Sequence, residues 1–392
     1  MTTTTKRPRI DVVDALRGFA VMAILLVHSV EHFIYPVYPE ASPAWLATLD
    51  QGVFTTVFAL FAGKSYAIFA LLFGFTFYIQ QENQRRRNGG DFGYRFLWRL
   101  LLLSLFATLN AAFFPAGDVL LLFVVVGVVL FLARNLSDKV VLILAVLFLL
   151  QPVEWFHFVA HQLNPAHQMP DLQVGEMYAA VGEVTKRGNW GEFLWTNVTL
   201  GQKASLLWAV GAGRFLQTEG LFLLGYYIAR KELFVDNKRN ANTWLTILIV
   251  AAVAFAPLYA LKEQLFQNPE AMVRQTAGTA FDMWQKLAFT FVLIPSFVLL
   301  YRGAKFRHAV RGLNSYGKMS LTNYVMQSIM GAFVFFPIGL HLAPVAGYTL
   351  SLIIGLVLFA LQLSFSRWWF VRHRQGPLEG IWSKGTWIGK KR

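Results

Sequence analysis

The chain has 392 residues, 56% hydrophobic and only 14% charged, with a mean hydropathy of +0.48. Soluble domains hold roughly 25% charged residues, so an ordinary soluble domain is excluded. The absence of cysteine excludes disulfides, thiolate metal sites and a cysteinyl acyl-enzyme. The net charge of +14 gathers beside apolar runs, as do many of the 12 tryptophans, which fits membrane topology and an interfacial belt rather than a nucleic-acid partner.

The polar basic tail 1–10 leads into an apolar run with no small-residue cleavage site after it, which reads as a retained helix. A crossing helix needs about 20 mostly apolar residues. Ten spans are predicted, at roughly 13–31, 64–82, 95–114, 117–134, 139–157, 206–229, 242–261, 284–301, 319–340 and 347–369. Gly63-Lys64 divides the stretch 53–82, so 53–62 reads as an interfacial or re-entrant piece. A long segment at about 152–203, rich in Trp, His, Gln and Asn, separates the fifth and sixth spans, with turn chemistry in "HQLNPAHQMPD" and "KRGNWG". Most of the 35 lysines and arginines fall on the side of the amino terminus. The positive-inside rule then predicts an all-α polytopic protein with both termini cytoplasmic and 152–203 as an extracytoplasmic loop. The sequence has no evident repeat or broken-helix pair, so residues 1–392 read as one membrane domain.

Ionisable residues inside spans are costly and point to function. In "DALRGFAVMAILLVHSVEH", the spacing of Arg17 and His28 sets them about 20° apart around a helix and about 16 Å apart along it. Asp14 and His32 fall near the same line, so one face carries Asp14 and Arg17 at the cytoplasmic end and His28 and His32 at the outer end. A structural account is also open, with Arg17 snorkelling and Asp14 favouring the helix amino terminus. Lys64, in "AGKSYAIFALLFGF", falls near the outer level of His28, as a snorkelling cation or as its neighbour. Glu219, in "GRFLQTEGLFLLG", lies near the middle of the sixth span and needs protonation, a cavity, or a partner such as Arg214. Asp118 opens the fourth span as half of a helix cap. In "NSYGKMSLTNYVMQS", Ser320, Asn323 and Gln327 form a polar stripe flanked by Tyr324 and Ser328, suited to helix–helix hydrogen bonding or to lining a substrate site. Glu154, His157 and His161 share a helical face, with His167 following, but the spacing is no recognised zinc signature and no metal is expected.

Several of these stretches, taken together, have a family likeness. "IDVVDALRGFAVMAILLVH" resembles the opening of the YeiB-like family (domain of unknown function 418), which is grouped with the transmembrane acyltransferase superfamily. "GKSYAIFALLFGF", "GDVLLLFVVVG", "YGKMSLTNYVMQS" and "RQGPLEGIW" are similar to further elements of that family, in order along the chain. The Arg17-to-His28 spacing is similar to the Arg-x10-His of the acyltransferase-three branch. Many YeiB-like members carry Asn at the position of His28; Asn110 stands where relatives often have His, and Lys318 replaces an Arg.

The resemblance implies a roughly ten-helix enzyme of the bacterial cytoplasmic (inner) membrane. It would move an acyl group, most simply acetyl, from cytoplasmic acyl-CoA to an extracytoplasmic hydroxyl or amine on an envelope glycan or lipid-linked sugar. Arg17, Asp14 and Gly18 would hold the acyl-CoA. His28 would be general base, with Lys64, Asn323, Tyr324 and Gln327 as oxyanion or positioning groups. The alternatives are a proton-coupled transporter using Glu219 and Arg214, and a non-catalytic membrane receptor.

Overall fold

The computed structural model describes residues 10–39, 42–88 and 92–388. The tail residues Lys6, Arg7 and Arg9, and Lys390, Lys391 and Arg392, which the topology reading uses, lie outside the described residues. The described chain is all-helical, without a strand.

The first apolar run forms α1 (Asp11–Val30). α2 (Ala44–Phe61) and α3 (Lys64–Asn88) follow, parted at Gly63, whose φ of +78° suits glycine. α4 (Gly93–Phe113) packs on α5 (Leu120–Ala133). α6 (Asp138–Leu149) is bent by 48° from α7 (Pro152–Leu163). Next come α8 (Val174–Arg187), α9 (Trp190–Thr196) and α10 (Gln202–Gly211), the last two joined by a π-helical turn. α11 (Arg214–Arg230) starts after Gly213, at φ +65°. α12 (Lys238–Phe266) packs on α14 (Thr279–Tyr301), which is preceded by the short α13 (Ala271–Val273) and a second π turn. The chain continues as α15 (Ala304–Ala309), α16 (Arg311–Lys318), α17 (Ser320–Phe335), α18 (Tyr348–Arg372) and α19 (Pro377–Thr386).

Six stretches among the described residues are long and apolar enough to cross a membrane, or seven if the bent pair α6–α7 counts as one. The chain is a membrane protein of several apolar helices. Three regions expected as spans form helices of only 14 (α5), 17 (α11) and 16 (α17) residues. The predicted fifth span is interrupted at Gln151-Pro152, where Gln151 takes φ +59° and proline cannot donate into the preceding helix. The predicted sixth is interrupted at Gly213. A pair of broken helices therefore exists where the sequence pattern suggested none. The segment 152–203 is largely helical; only the two quoted turns leave helix, at 164–173 and 188–189. The 53–62 piece is the end of α2, which begins at Ala44 and packs on α18.

α1 is the centre of the molecule: 83% of its apolar window is buried, against 11% for α12. A helix apolar on all sides belongs inside a bundle, whereas α12 turns Ile249, Val250 and Val253 outward, as a lipid-facing helix does. Glycines set the closest helix crossings. A Cβ on Gly18 would stand 2.2 Å from the Leu313 carbonyl oxygen, and one on Gly317 would stand 2.0 Å from that of Asp14, so α1 and α16 touch backbone to backbone. Gly74 and Gly225 make the same contact between α3 and α11, with Cβ positions 1.9 Å from the Phe222 oxygen and 1.8 Å from the Leu71 oxygen. Without a hydrophobic drive between helices in lipid, such close approach supplies the packing.

Candidate functional site

The face of α1 anticipated from spacing is present. Arg17 Nη1 donates to Asp14 Oδ1 at 3.1 Å, and Nη2 donates to Thr76 Oγ1 on α3 at 2.8 Å. Partners at fixed angles hold the guanidinium plane. Arg17 lies on the wall of a cavity of about 420 Å³. At one end the cavity is lined by Arg99, Lys318, Arg374, Gln80, Asn83 and Gln84; deeper, by Thr76, Ser320, Phe69, Phe123 and Tyr324. Asn83 Oδ1, on this wall, is buried without a hydrogen-bond partner among the described residues, and the Tyr324 hydroxyl has at most a weak contact with the Val119 N–H. Orphaned polar atoms facing a cavity of this size are the mark of a ligand site.

Tyr324 links the cavity to the outer end of α1. Its ring centroid is 6.3 Å from that of His28, and its other face stacks on Phe69 at 6.3 Å. His28 is buried, with Phe114 at 4.4 Å and His32 at 5.5 Å, and its Nδ1 has no partner among the described residues. His32 Nε2 meets Glu31 Oε2 at 3.5 Å. Both amide atoms of Gln327, one turn beyond Tyr324, are likewise buried and unpartnered among the described residues. The structure thus brings together Arg17, Ser320 and Tyr324 along one cavity, with Asp14 holding Arg17 and with His28 and His32 behind Tyr324.

Other expected site residues are occupied elsewhere. Asn323 Nδ2 donates to the Tyr316 carbonyl at 2.9 Å and to Ser366 Oγ at 3.1 Å. Gln362 donates to the Asn323 carbonyl and accepts from the Tyr316 hydroxyl. Asn323 is therefore a tie between α16, α17 and α18, and its amide is satisfied away from the cavity. Gly18 is the α1–α16 crossing point; its Cα faces the Leu313 carbonyl, which leaves no room for a ligand there. Asp118 accepts from the Leu120 and Leu121 N–H groups, as a cap does, and also from Asn110 Nδ2 at 2.8 Å, with Ser328 donating to Asn110. Lys64 is not a neighbour of His28. Its Nζ donates to the Phe58 carbonyl at 3.3 Å, and it shares a cationic cluster with Arg214 and Lys286. Arg214 donates to Gln217 at 3.0 Å and forms no ion pair with Glu219. His157 and His161 turn to His167, and no group among the described residues could hold a metal ion.

The residues that close the cavity come from α19. Glu379 Oε1 accepts from the Leu321 and Thr322 N–H groups at 2.8 and 3.1 Å, and Oε2 accepts from Thr322 Oγ1 at 2.6 Å. The carboxyl thus caps the amino terminus of α17, next to Ser320 and below Tyr324. At its other end α19 docks on α4: Arg95 donates to the Thr386 carbonyl, Trp98 to that of Gly385, and the Arg99 guanidinium stacks 3.7 Å from the Trp382 ring. Cations and indole donors are where the orphan carbonyls of a helix end need them. Sequence reading missed Glu379, Arg99 and Trp382 because they become neighbours only through contacts more than 50 residues away in sequence. Their one signal is the turn Gly376-Pro377 with Glu379 at the third helical position, a helix start in otherwise apolar surroundings.

Glu379→Ala leaves two backbone N–H groups and a hydroxyl without their acceptor, and is expected to lower stability by about 2 kcal/mol, read as a lower Tm in detergent. Burial pushes the Glu379 carboxyl up, against the hydrogen bonds from Thr322 and Leu321. A raised acid contributes stability that is complete below its unfolded pKa and lost as pH rises through its folded pKa. Relative to Glu379→Gln, the wild type therefore loses Tm as pH rises from the ordinary carboxylate range; parallel curves would contradict this.

A polytopic helical membrane protein with a basic-mouthed cavity ending at a buried aromatic and histidine pair is thus defined. Residues 228–389 match the family described as "Protein of unknown function (DUF418)". The whole chain is similar to "Uncharacterized protein YxaH" of Bacillus subtilis (strain 168), at 25% identity over 98% of this chain and 96% of that protein. It is also similar to "Uncharacterized protein YeiB" of Escherichia coli (strain K12), at 24% identity over 95% of each. The chain thus carries the DUF418 match over residues 228–389 and is similar to YxaH and YeiB over nearly its whole length. No solved structure matches it significantly.

Proposed function

We propose that this protein is an acyl-CoA-dependent acyltransferase of the bacterial inner membrane. It has ten crossings with α5, α11 and α17 among them, and both termini are cytoplasmic. The observation that carries the reading is the single cavity running from Arg99, Lys318 and Arg374, past Arg17, to Tyr324 beside His28. The basic mouth suits the phosphates of acyl-CoA and the narrow aromatic interior suits its thioester arm. The chemistry needs no cysteine. An acceptor hydroxyl or amine, on an envelope glycan or lipid-linked sugar, loses its proton to a His28 ring nitrogen as its oxygen or nitrogen attacks the thioester carbonyl. The C–S bond breaks, the new ester or amide forms, and the proton passes from His28 to the departing thiolate. Tyr324 and Gln327 would steady the oxyanion. Asp14 and Thr76 orient Arg17 towards the donor.

Equilibrium binding of labelled acetyl-CoA to the protein in nanodiscs tests the donor. Binding is expected in the micromolar range or tighter, weakened at least tenfold by Arg17→Gln, with the variant's Tm retained. A wild type that binds no acyl-CoA would end the proposal. A transporter is the second reading, favoured by the broken helices at Gly63 and Gly213. Proton-driven solute uptake lost in Glu219→Gln, without acyl-CoA binding, is its signature.

A further inference from the structure

Two helix starts meet at the opposite end of α3 from the cavity mouth. α3 begins at Lys64 after Gly63, and α11 begins at Arg214 after Gly213, both glycines at positive φ. The helices run parallel and in register. Gly74 contacts Phe222 and Gly225 contacts Leu71, and the Tyr66 hydroxyl hydrogen-bonds Thr218. Their amino termini therefore lie side by side, where aligned peptide dipoles add positive potential. Lys64 lies twelve residues from Thr76, the partner of Arg17, or about 18 Å along α3, so this end is separate from the cavity.

Cationic side chains crowd the same point. A Cβ on Gly63 would stand 2.8 Å from Arg214 Nη2 and 2.9 Å from Lys286 Cδ, so both chains rest on the residue before Lys64. Lys64 lies in the electrostatic field of Lys286, Asp282, Arg214 and Lys262. Asp282 is paired with Lys286 and Glu263 with Lys262. That leaves Lys64 and Arg214, 4% and 8% exposed, with no carboxylate partner among the described residues; their hydrogen bonds go to the Phe58 carbonyl and the Gln217 amide oxygen. Gln217 Nε2 is buried beside them without an acceptor. Beside Gly63 the unspent groups are a donor and positive charges; the unpartnered acceptors Gln151 Oε1 and Glu154 Oε2 belong to side chains packed against Gly213. Asp282 and Glu31 act on this pair only at a distance, and two buried cations with no carboxylate in contact are unfavourable until an anion supplies both charge and acceptors.

We infer that the Gly63–Arg214 junction is a binding site for a phosphate-type oxyanion, held by Lys64, Arg214 and the Gln217 amide between two helix amino termini. Lys286 and Lys262, which are partly exposed, form the way in. The ligand is a phosphate, either the headgroup of an anionic lipid or a phosphorylated solute. This inference is independent of acyl transfer.

The test uses the full chain in the Arg17→Gln background, so that the cytoplasmic cavity does not contribute. Inorganic pyrophosphate binding is measured by calorimetry in nanodiscs of phosphatidylcholine alone. Retention of phosphatidylglycerol from mixed nanodiscs is read by native mass spectrometry. Binding of either probe, weakened at least tenfold by both Lys64→Gln and Arg214→Gln with Tm retained, supports the site. Pyrophosphate binding marks a solute and lipid retention alone marks a headgroup. If either variant fails to fold, Gln217→Leu, which removes the neutral donor, is expected to weaken the same probe at least threefold. Neither probe binding, or binding indifferent to the variants that fold, overturns it.

Discussion

His28→Ala is expected to lower acyl transfer by about 10²- to 10⁴-fold, the range that a positioned general base supplies. The measurement is the label carried from [14C]acetyl-CoA into the glycan and lipid fractions of inverted membrane vesicles. Acetyl-CoA binding should change less than threefold, because His28 stands behind Tyr324 and outside the cavity wall. His28→Asn, the residue carried by many members of the family this chain resembles, should behave like the alanine variant if the imidazole itself takes the proton. Full activity in His28→Asn would move the base to another group. The buried, unpartnered Nδ1 makes the assignment specific: a histidine there for packing alone would have its nitrogens satisfied.

The second large effect is structural and concerns a residue whose expected role changed. Gly18→Ala and Gly317→Ala each force a methyl to within 2.2 Å of a backbone carbonyl that cannot move unless α1 and α16 part. Overpacking of this kind costs about 3 kcal/mol or more, and in lipid no burial gain offsets it. Both variants should show a marked drop in Tm and in folded yield, whereas Gly52→Ala, with nothing within 4 Å, should not. A Gly18→Ala protein as stable as the wild type but unable to bind acyl-CoA would restore Gly18 to the donor site. The crossing also brings Arg17 on α1 and Lys318 at the end of α16 to the wall of the same cavity.

Helical arithmetic made the Arg17–His28 face legible, because α1 runs unbroken through Gly18 and keeps 100° per residue over its length. Asp14, three residues before Arg17 and so on the same face, was legible for the same reason. What sequence could not give was which polar residue faces which void. Ser320, Asn323, Tyr324 and Gln327 look equivalent as a stripe, yet Ser320 and Tyr324 reach the cavity while Asn323 ties three helices. The difference lies in rotation relative to α16 and α18, which period alone does not fix. Lys64 was expected near the level of His28, and whether the two face each other stayed open because equal depth says nothing about azimuth. Helix breaks were read at Gly63, where a lysine follows in an apolar run, and missed at Gly213 and Gln151, although Arg214 and Pro152 follow them directly. Glu379 was invisible as a site residue because a cap acting on another helix leaves no local pattern.

The central claim is that one donor path joins Arg17 to His28 past Tyr324. Photolabelling with a diazirine-bearing fatty acyl-CoA tests it most directly, since it needs no acceptor. The expected result is label on the peptides holding Tyr324 and His28, protected by excess acetyl-CoA and lost in Arg17→Gln. Label confined to outward-facing helices such as α12, or unaffected by acetyl-CoA, would contradict it.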